Sequence, residues 1–99
     1  MVKGSTPTFT ITLPFDSSEL SSLNASFAQD GRTVVTVGHE RMYCDGKTVG
    51  FTLTEKESLT LVSGTVAELQ LRAEALSGDV LISKIKKIPV YKRNPEHIG

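Results

Sequence analysis

The sequence predicts one all-β domain, an immunoglobulin-like β-sandwich of about seven strands with one short helical crossover. Three observations support this fold class. Apolar and polar residues alternate with a period of two along most of the chain, which is typical of strands with one buried face. Turn sequences that contain glycine recur about every ten residues, as in sandwiches rather than in βα folds. A helix-start pattern is found in a single stretch, near Thr54.

The first half of the chain contains two hairpin signals. The sequence TFTITLP at residues 8–14 predicts a first strand that is stopped by Pro14. A second strand through Phe27 is followed by Asp30-Gly31 and a β-branched run, which predicts a tight hairpin. A short strand near residues 42–44 leads into Asp45-Gly46, a second turn of the same chemistry, and a further strand follows through Phe51.

The helical crossover and the last strands follow. Thr54 and Glu57 have the spacing of a capping box, which predicts one or two helical turns before Gly64. Residues 65–75 alternate most clearly, with apolar side chains on one face and polar side chains on the other. The last strand begins near Val80 with a predicted bulge near Ser83. The expected core consists of Phe9, Ile11, Leu13, Phe27, Val35, Phe51, Leu53, Leu59, Leu69, Leu71 and Ile82.

Length and composition limit the classes of protein to consider. The 99 residues suit one domain, with a flexible segment at residues 1–7, the sandwich at residues 8–91 and a polar tail at residues 92–99. The formal net charge is zero, which argues against binding to nucleic acid and leaves little repulsion to oppose self-association. Neither a signal-peptide pattern nor an apolar run long enough to cross a membrane is present.

Cys44 is the candidate nucleophile, because His39 and Asp45 lie close to it in sequence. Its place beside a turn favours a small buried packing residue instead. Metal binding by His39, Cys44 and His97 is disfavoured because these residues lack ligand spacing. The candidate carboxylates for acid–base chemistry are expected to be solvated charges; they are Glu55, Glu57, Glu68, Glu74 and Asp79. Gly46 and Gly50 lack the spacing of a phosphate loop.

Lysines dominate the last strand and its surroundings, at Lys84, Lys86, Lys87 and Lys92, with Arg93. A basic patch for nucleic acid or for an acidic partner is one interpretation. The favoured interpretation is that these lysines protect an exposed edge strand from aggregation. No aromatic residues interleave with them for base stacking.

Several segments together resemble small immunoglobulin-like proteins encoded among the structural genes of tailed bacteriophages and prophages of Gram-positive bacteria. They are TFTITLP at residues 8–14, DGKTVGFTLT at residues 45–54, Ser58-Leu59, and VAELQLR at residues 66–72. The similarity covers about residues 8–83, and the lysine-rich end departs from the alternating valine strand that is usual in the group. The resemblance implies a virion-associated or assembly protein and supplies no catalytic residue.

The function expected from this resemblance is that of a tail- or baseplate-like structural protein without catalysis. It would contact copies of itself or other virion components, and would occur in the bacterial cytoplasm during assembly and in the virion. No catalytic, cofactor-binding or metal-binding residue is predicted, and nucleic acid and membrane are not expected partners. The alternative is a stand-alone carbohydrate- or surface-binding β-sandwich module. Such modules use exposed aromatic platforms, whereas this chain has no tryptophan and only Tyr43 and Tyr91 as tyrosines.

Overall fold

A computed structural model describes residues 1–83 and 85–92. Within these residues the chain forms eight strands and one short α-helix, α1 (Glu55–Leu59). Single 3₁₀ turns occur at Ser17–Glu19 and His39–Arg41. The strands are β1 (Thr8–Thr12), β2 (Leu20–Gln29), β3 (Arg32–Val37), β4 (Tyr43–Asp45), β5 (Thr48–Thr52), β6 (Thr65–Ala75), β7 (Val80–Ile82) and β8 (Lys86–Val90).

The strands form two antiparallel sheets. One sheet has the order β1-β5-β4, and the other has the order β3-β2-β6, with β7 and β8 both paired to β6. β8 pairs with the first half of β6 and β7 with its second half, so the two short strands follow each other along one edge. The predicted all-β sandwich is confirmed, and its immunoglobulin-like character stays a prediction.

Three phenylalanines join the sheets at the centre of the core. Phe9 and Phe51 come from the three-stranded sheet, and Phe27 comes from the five-stranded sheet. The ring centroid of Phe27 lies 5.2 Å from that of Phe9 and 6.1 Å from that of Phe51. Phe27 is fully buried, so it is the side chain that both sheets pack against.

Two residues expected in the core are exposed. Leu59 is at the end of α1, where Ser58 and Leu61 take the buried positions instead. Ile82 is opposite Arg72 of β6, and directly opposed residues share one face of a sheet, so Ile82 lies on the outward face. Phe9 and Ile11 are half-buried because β1 is an edge strand. The other expected core residues are buried.

The local sequence signals produce the predicted turns and cap. Asp30 and Gly31 both have positive φ, 53° and 73°, as a two-residue hairpin turn requires. Thr54 caps α1 through its side chain, which accepts a hydrogen bond from the backbone N–H of Glu57 at 3.1 Å. The carboxylate of Glu57 accepts the N–H of Thr54 at 2.9 Å, which completes the capping box.

The predicted bulge near Ser83 separates β7 from β8. The backbone N–H of Ser83 donates to the carbonyl of Leu71 at 2.9 Å. Its side-chain oxygen accepts the N–H of Leu71, also at 2.9 Å, in place of a backbone carbonyl. The serine hydroxyl thus keeps the β6 ladder satisfied where the edge strand is interrupted.

The N-terminal segment, expected to be flexible, is hydrogen-bonded to the end of β8. Tyr91 N–H donates to the carbonyl of Met1 at 2.7 Å, and Lys3 N–H donates to the carbonyl of Tyr91 at 2.9 Å. The predicted polar tail at residues 92–99 lies, apart from Lys92, outside the described residues. No helix in the described part of the chain is both long enough and apolar enough to cross a membrane.

Candidate functional site

The sandwich is open on the side where β1 faces β7 and β8. β1 is the edge of the three-stranded sheet, and β7 and β8 form one edge of the other sheet. Side chains from both edges line common grooves, so the two edges lie across the sandwich from each other. We call this region, formed by β1, β7, β8 and the grooves between them, the open side.

One groove of the open side lies between the end of β1 and β7, and we call it the Ile82 groove. It has a volume of about 200 Å³. The inward side chains of β6 form its floor, and residues from both edges form its walls. On β7 it is Leu81 whose side chain points inward, whereas that of Ile82 lies on the outward face. Its lining residues are Leu13, Pro14, Phe15, Leu23, Leu71, Ala73, Leu81, Ile82 and Ser83.

A second groove lies next to it along β6, and we call it the Lys86 groove. It has a volume of about 240 Å³ and is lined by Ile11, Leu69, Leu71, Ser83 and Lys86. The two grooves share Leu71 and Ser83, so they adjoin at the bulge. We call the two adjoining grooves the channel; among the described residues that line it, Lys86 is the one with a cationic side chain.

The backbone of β1 has hydrogen-bonding groups that face outward from the sheet. Leu13 N–H donates to Lys47 at 2.7 Å, and Leu53 N–H donates to Pro7 at 3.0 Å, so the odd-numbered residues are the ones bonded to β5. In an antiparallel pair such residues alternate with residues whose N–H and C=O groups point away. These are Thr8, Thr10 and Thr12, all with uncharged, exposed side chains.

Several large apolar side chains of the open side and the adjoining β6–β7 hairpin are exposed. The exposed fractions are 71% for Leu76 in the β6–β7 turn, 50% for Val80 and 61% for Ile82. Ile85 follows the bulge and is 51% exposed. Val80 and Ile82 share the outward face of β7, and adjacent exposed apolar residues are typical of surfaces that contact another molecule.

The lysines of β8 lie on opposite faces of the sheet. Lys86 is opposite the buried Leu69, so it points toward the space between the sheets. Lys87 is opposite Glu68 on the outward face. Lys92 is exposed, whereas Lys84 and Arg93 lie outside the described residues. The edge position of β8 agrees with the interpretation that its lysines protect an edge strand, and an inward-pointing charge is one such device.

The expectation that Cys44 is buried is wrong, because its side chain is exposed. Cys44 is opposite the buried Val49, but β4 is the outer strand of its sheet and leaves the thiol uncovered. Its Sγ lies 3.8 Å from Nε2 of His39, so these two residues are brought together, whereas Asp45 is at the end of β4. His97 lies outside the described residues.

In catalytic cysteine–histidine pairs, a third group orients the base. Among the described residues, no hydrogen bond joins the other ring nitrogen of His39 to a neighbouring group. Residues 1–83 and 85–92 also contain no cluster of three groups that could bind a metal ion. The pair is a contact between the exposed thiol of Cys44 and the half-buried His39.

Glu57 differs from the other carboxylates because it connects three elements. It belongs to the capping box of α1 and accepts two hydrogen bonds from the guanidinium of Arg41, one of them at 2.7 Å. Arg41 also donates to the carbonyl of Thr52 in β5 at 3.0 Å. The hydrogen bond from Arg41, aided by those from Thr54, lowers the pKa of Glu57 from 4.5 to about 2.

This lowered pKa makes Glu57 a determinant of stability in acid. A carboxyl with a lowered folded-state pKa stabilises the fold fully above its unfolded-state value of 4.5, and this contribution disappears as the pH falls toward about 2. We expect Glu57→Gln to destabilise the protein by about 1 kcal/mol at neutral pH. The difference from wild type should shrink between these two pH values in denaturant unfolding. Glu55→Gln, in the same helical turn, is the control for the loss of one carboxylate and should change the stability at neutral pH by less than Glu57→Gln does, because Arg41 pairs with Glu57. Equal pH profiles for wild type and Glu57→Gln would contradict the prediction.

The sequence signals identified the lysines and the edge position of the last strand, but not the grooves. The grooves depend on the bulge at Ser83, which was visible as a break in the alternation, and on the alignment of β1 with β7. That alignment joins segments about 70 residues apart in sequence, where period-two patterns carry no information. Comparisons with models of known protein families and with curated proteins find no match to this chain.

Proposed function

We propose that this chain is a structural or assembly protein of a tailed bacteriophage or prophage, in the tail or baseplate. It acts in the bacterial cytoplasm during assembly and in the virion, through contacts with other proteins and without catalysis. The observation that carries the proposal is the open side, where an uncharged edge strand lies beside a channel lined by apolar side chains. An edge strand is a template for pairing with another chain.

The other strand edges are less suited to this role. β4 has three residues and ends in Asp45. β8 carries Lys86 and Lys87, and lysines on an edge strand oppose pairing with another chain. Side chains of α1 line a groove with Val34 and Thr36 of β3, so the helix lies beside that edge. β1 is five residues long and uncharged, and it is therefore the edge that we assign to the contact.

The carbohydrate-binding alternative has two exposed tyrosines in its support. Tyr43 is 70% exposed and Tyr91 is 59% exposed. Tyr43 belongs to β4 of the three-stranded sheet, whereas Tyr91 follows β8 of the other sheet. The two rings are on different sheets, which does not favour one shared aromatic platform, and the structural role remains our proposal.

The test uses particles induced from a strain that carries the gene. We expect an antibody against this chain to detect it in purified particles or in assembly intermediates. Deleting the gene should reduce the yield of complete particles, as seen by electron microscopy, and a plasmid copy should restore it. The substitution Thr10→Lys on β1 should fail to restore the yield, because it places a charge on the contact strand.

The matched control is Thr36→Lys. Thr36 is also an exposed threonine on an edge strand, but β3 is at the far side of its sheet from β7 and β8. This variant should restore particle yield. If the chain is missing from particles and intermediates, and if deletion changes neither yield nor morphology, the proposed function is wrong.

A further inference from the structure

We propose that the open side binds an extended segment of a partner protein as an additional antiparallel strand on β1. An apolar side chain of this segment occupies the Ile82 groove, and an acidic side chain two residues later pairs with Lys86. The proposal rests on the proposed function, since it describes how another virion component would be held.

The backbone of β1 provides the first part of the binding site. The outward N–H and C=O groups of Thr8, Thr10 and Thr12 form one half of a β-ladder. Their side chains lie on the solvent face of the sheet, as the paired hydroxyls of Thr8 and Thr52 show at 2.7 Å. An added strand therefore meets no bulky or charged side chain along this edge.

The grooves provide the second part. On a strand added to β1, alternate side chains point between the sheets and are spaced by about 7 Å. Residues opposite Leu13 and Ile11 are two positions apart and have this orientation. Leu13 lines the Ile82 groove and Ile11 lines the Lys86 groove. The two grooves thus receive consecutive inward side chains of one strand, which is how strand addition achieves specificity.

Charge decides which side chain enters which groove. Lys86 points inward and forms no salt bridge with any other residue in the described part of the chain. The lining of its groove is otherwise made of Ile11, Leu69, Leu71 and Ser83. A glutamate packs its methylene groups on these residues while its carboxylate reaches the ammonium group. The described residues that line the Ile82 groove carry no charge. Since an antiparallel strand meets Leu13 before Ile11, the apolar residue precedes the acidic one.

The same charge argues against a second copy of this chain as the occupant. Antiparallel pairing of two β1 strands about a twofold axis brings their Lys86 grooves to one interface. No acidic residue is among the described residues that line this groove, so the two Lys86 side chains would be brought together without an acidic partner from either lining. A partner strand with an acidic residue removes this repulsion.

The test is a titration of the ¹⁵N-labelled full chain with the capped peptide acetyl-TTLTETV-amide, followed by NMR. We expect chemical-shift changes at the amides of Thr8, Thr10 and Thr12 and around Leu71, Leu81 and Ile82. The peptide with lysine in place of glutamate should bind roughly tenfold more weakly. Lys86→Glu should reverse this preference, so that the lysine peptide binds better.

The matched control is Lys87→Glu, next to Lys86 but on the outward face of the sheet. It changes the net charge by the same amount and should leave the preference for the glutamate peptide unchanged. The spectra of each variant report whether it is folded. If Lys86→Glu and Lys87→Glu change the peptide preference equally, the effect is one of general charge. That result would overturn the proposal that Lys86 pairs with the acidic side chain of the partner strand.

Three other results overturn the proposal. They are the absence of shift changes at millimolar peptide, changes confined to another surface, and concentration-dependent dimers that occupy β1 in sedimentation of the chain alone. The last result would identify a second copy as the occupant. None of these results bears on whether the chain is found in particles or whether deletion of its gene reduces their yield, so failure of this inference can be distinguished from failure of the proposed function.

Discussion

Phe27→Ala is expected to destabilise the domain by about 3–5 kcal/mol. The ring is fully buried between the two sheets and contacts the rings of Phe9 and Phe51. Its removal leaves a cavity that neither sheet can close without moving its strands, and it also removes two aromatic contacts. The loss is a large share of the total stability of a typical domain.

The measurement is denaturant unfolding followed by circular dichroism. Ser26→Ala is the control on the same strand, because Ser26 is on the opposite face of β2 and should change the stability by less than about 0.5 kcal/mol. A loss of less than about 1 kcal/mol for Phe27→Ala would show that Phe27 does not join the two sheets as described.

Leu69→Ala and Leu71→Ala are each expected to cost about 2–5 kcal/mol. Both side chains are nearly inaccessible to solvent, at 2% and 3% exposure, and lie on the inward face of β6. β6 is the strand that pairs with β2 on one side and with β7 and β8 on the other. A cavity at these positions therefore weakens the packing of the whole five-stranded sheet against β1 and β5.

The outward residues of the same strand give the comparison. Glu68→Ala should be nearly neutral, because Glu68 is exposed. Gln70→Ala should cost about 1 kcal/mol or less, because its amide donates one hydrogen bond to the carbonyl of Ser83 at 3.2 Å. Outward substitutions as costly as the inward ones would mean that the outer face of β6 is also buried, by association with another molecule.

The bulge at Ser83 connects the fold to the proposed function. An unbroken last strand would pair with β6 along its whole length, and its side chains would alternate between the inward and outward faces without interruption. The bulge instead ends β7 at Ile82 and allows Lys86 to face inward at the start of β8. The interruption in the edge strand is what forms two adjacent grooves of different charge.

The sequence alone determined the local elements of this protein. Alternation placed the strands, Asp30-Gly31 specified the hairpin between β2 and β3, and Thr54 with Glu57 specified the start of α1. The break near Ser83 was also visible. Each of these features depends on residues within a few positions of one another, through backbone torsions, local hydrogen bonds and the facing of neighbouring side chains.

The tertiary structure decided which strands are edges facing each other, and with that the exposure of particular side chains. The sequence predicts a buried Cys44, yet its thiol is exposed because β4 has a neighbour on one side only. It predicts Ile82 in the core, yet Ile82 is exposed because its register with Arg72 places it on the outward face of β7. Lys86 faces inward because of its register with Leu69. Exposure at an edge depends on whether another strand lies alongside, and that strand comes from a distant part of the chain or from a partner.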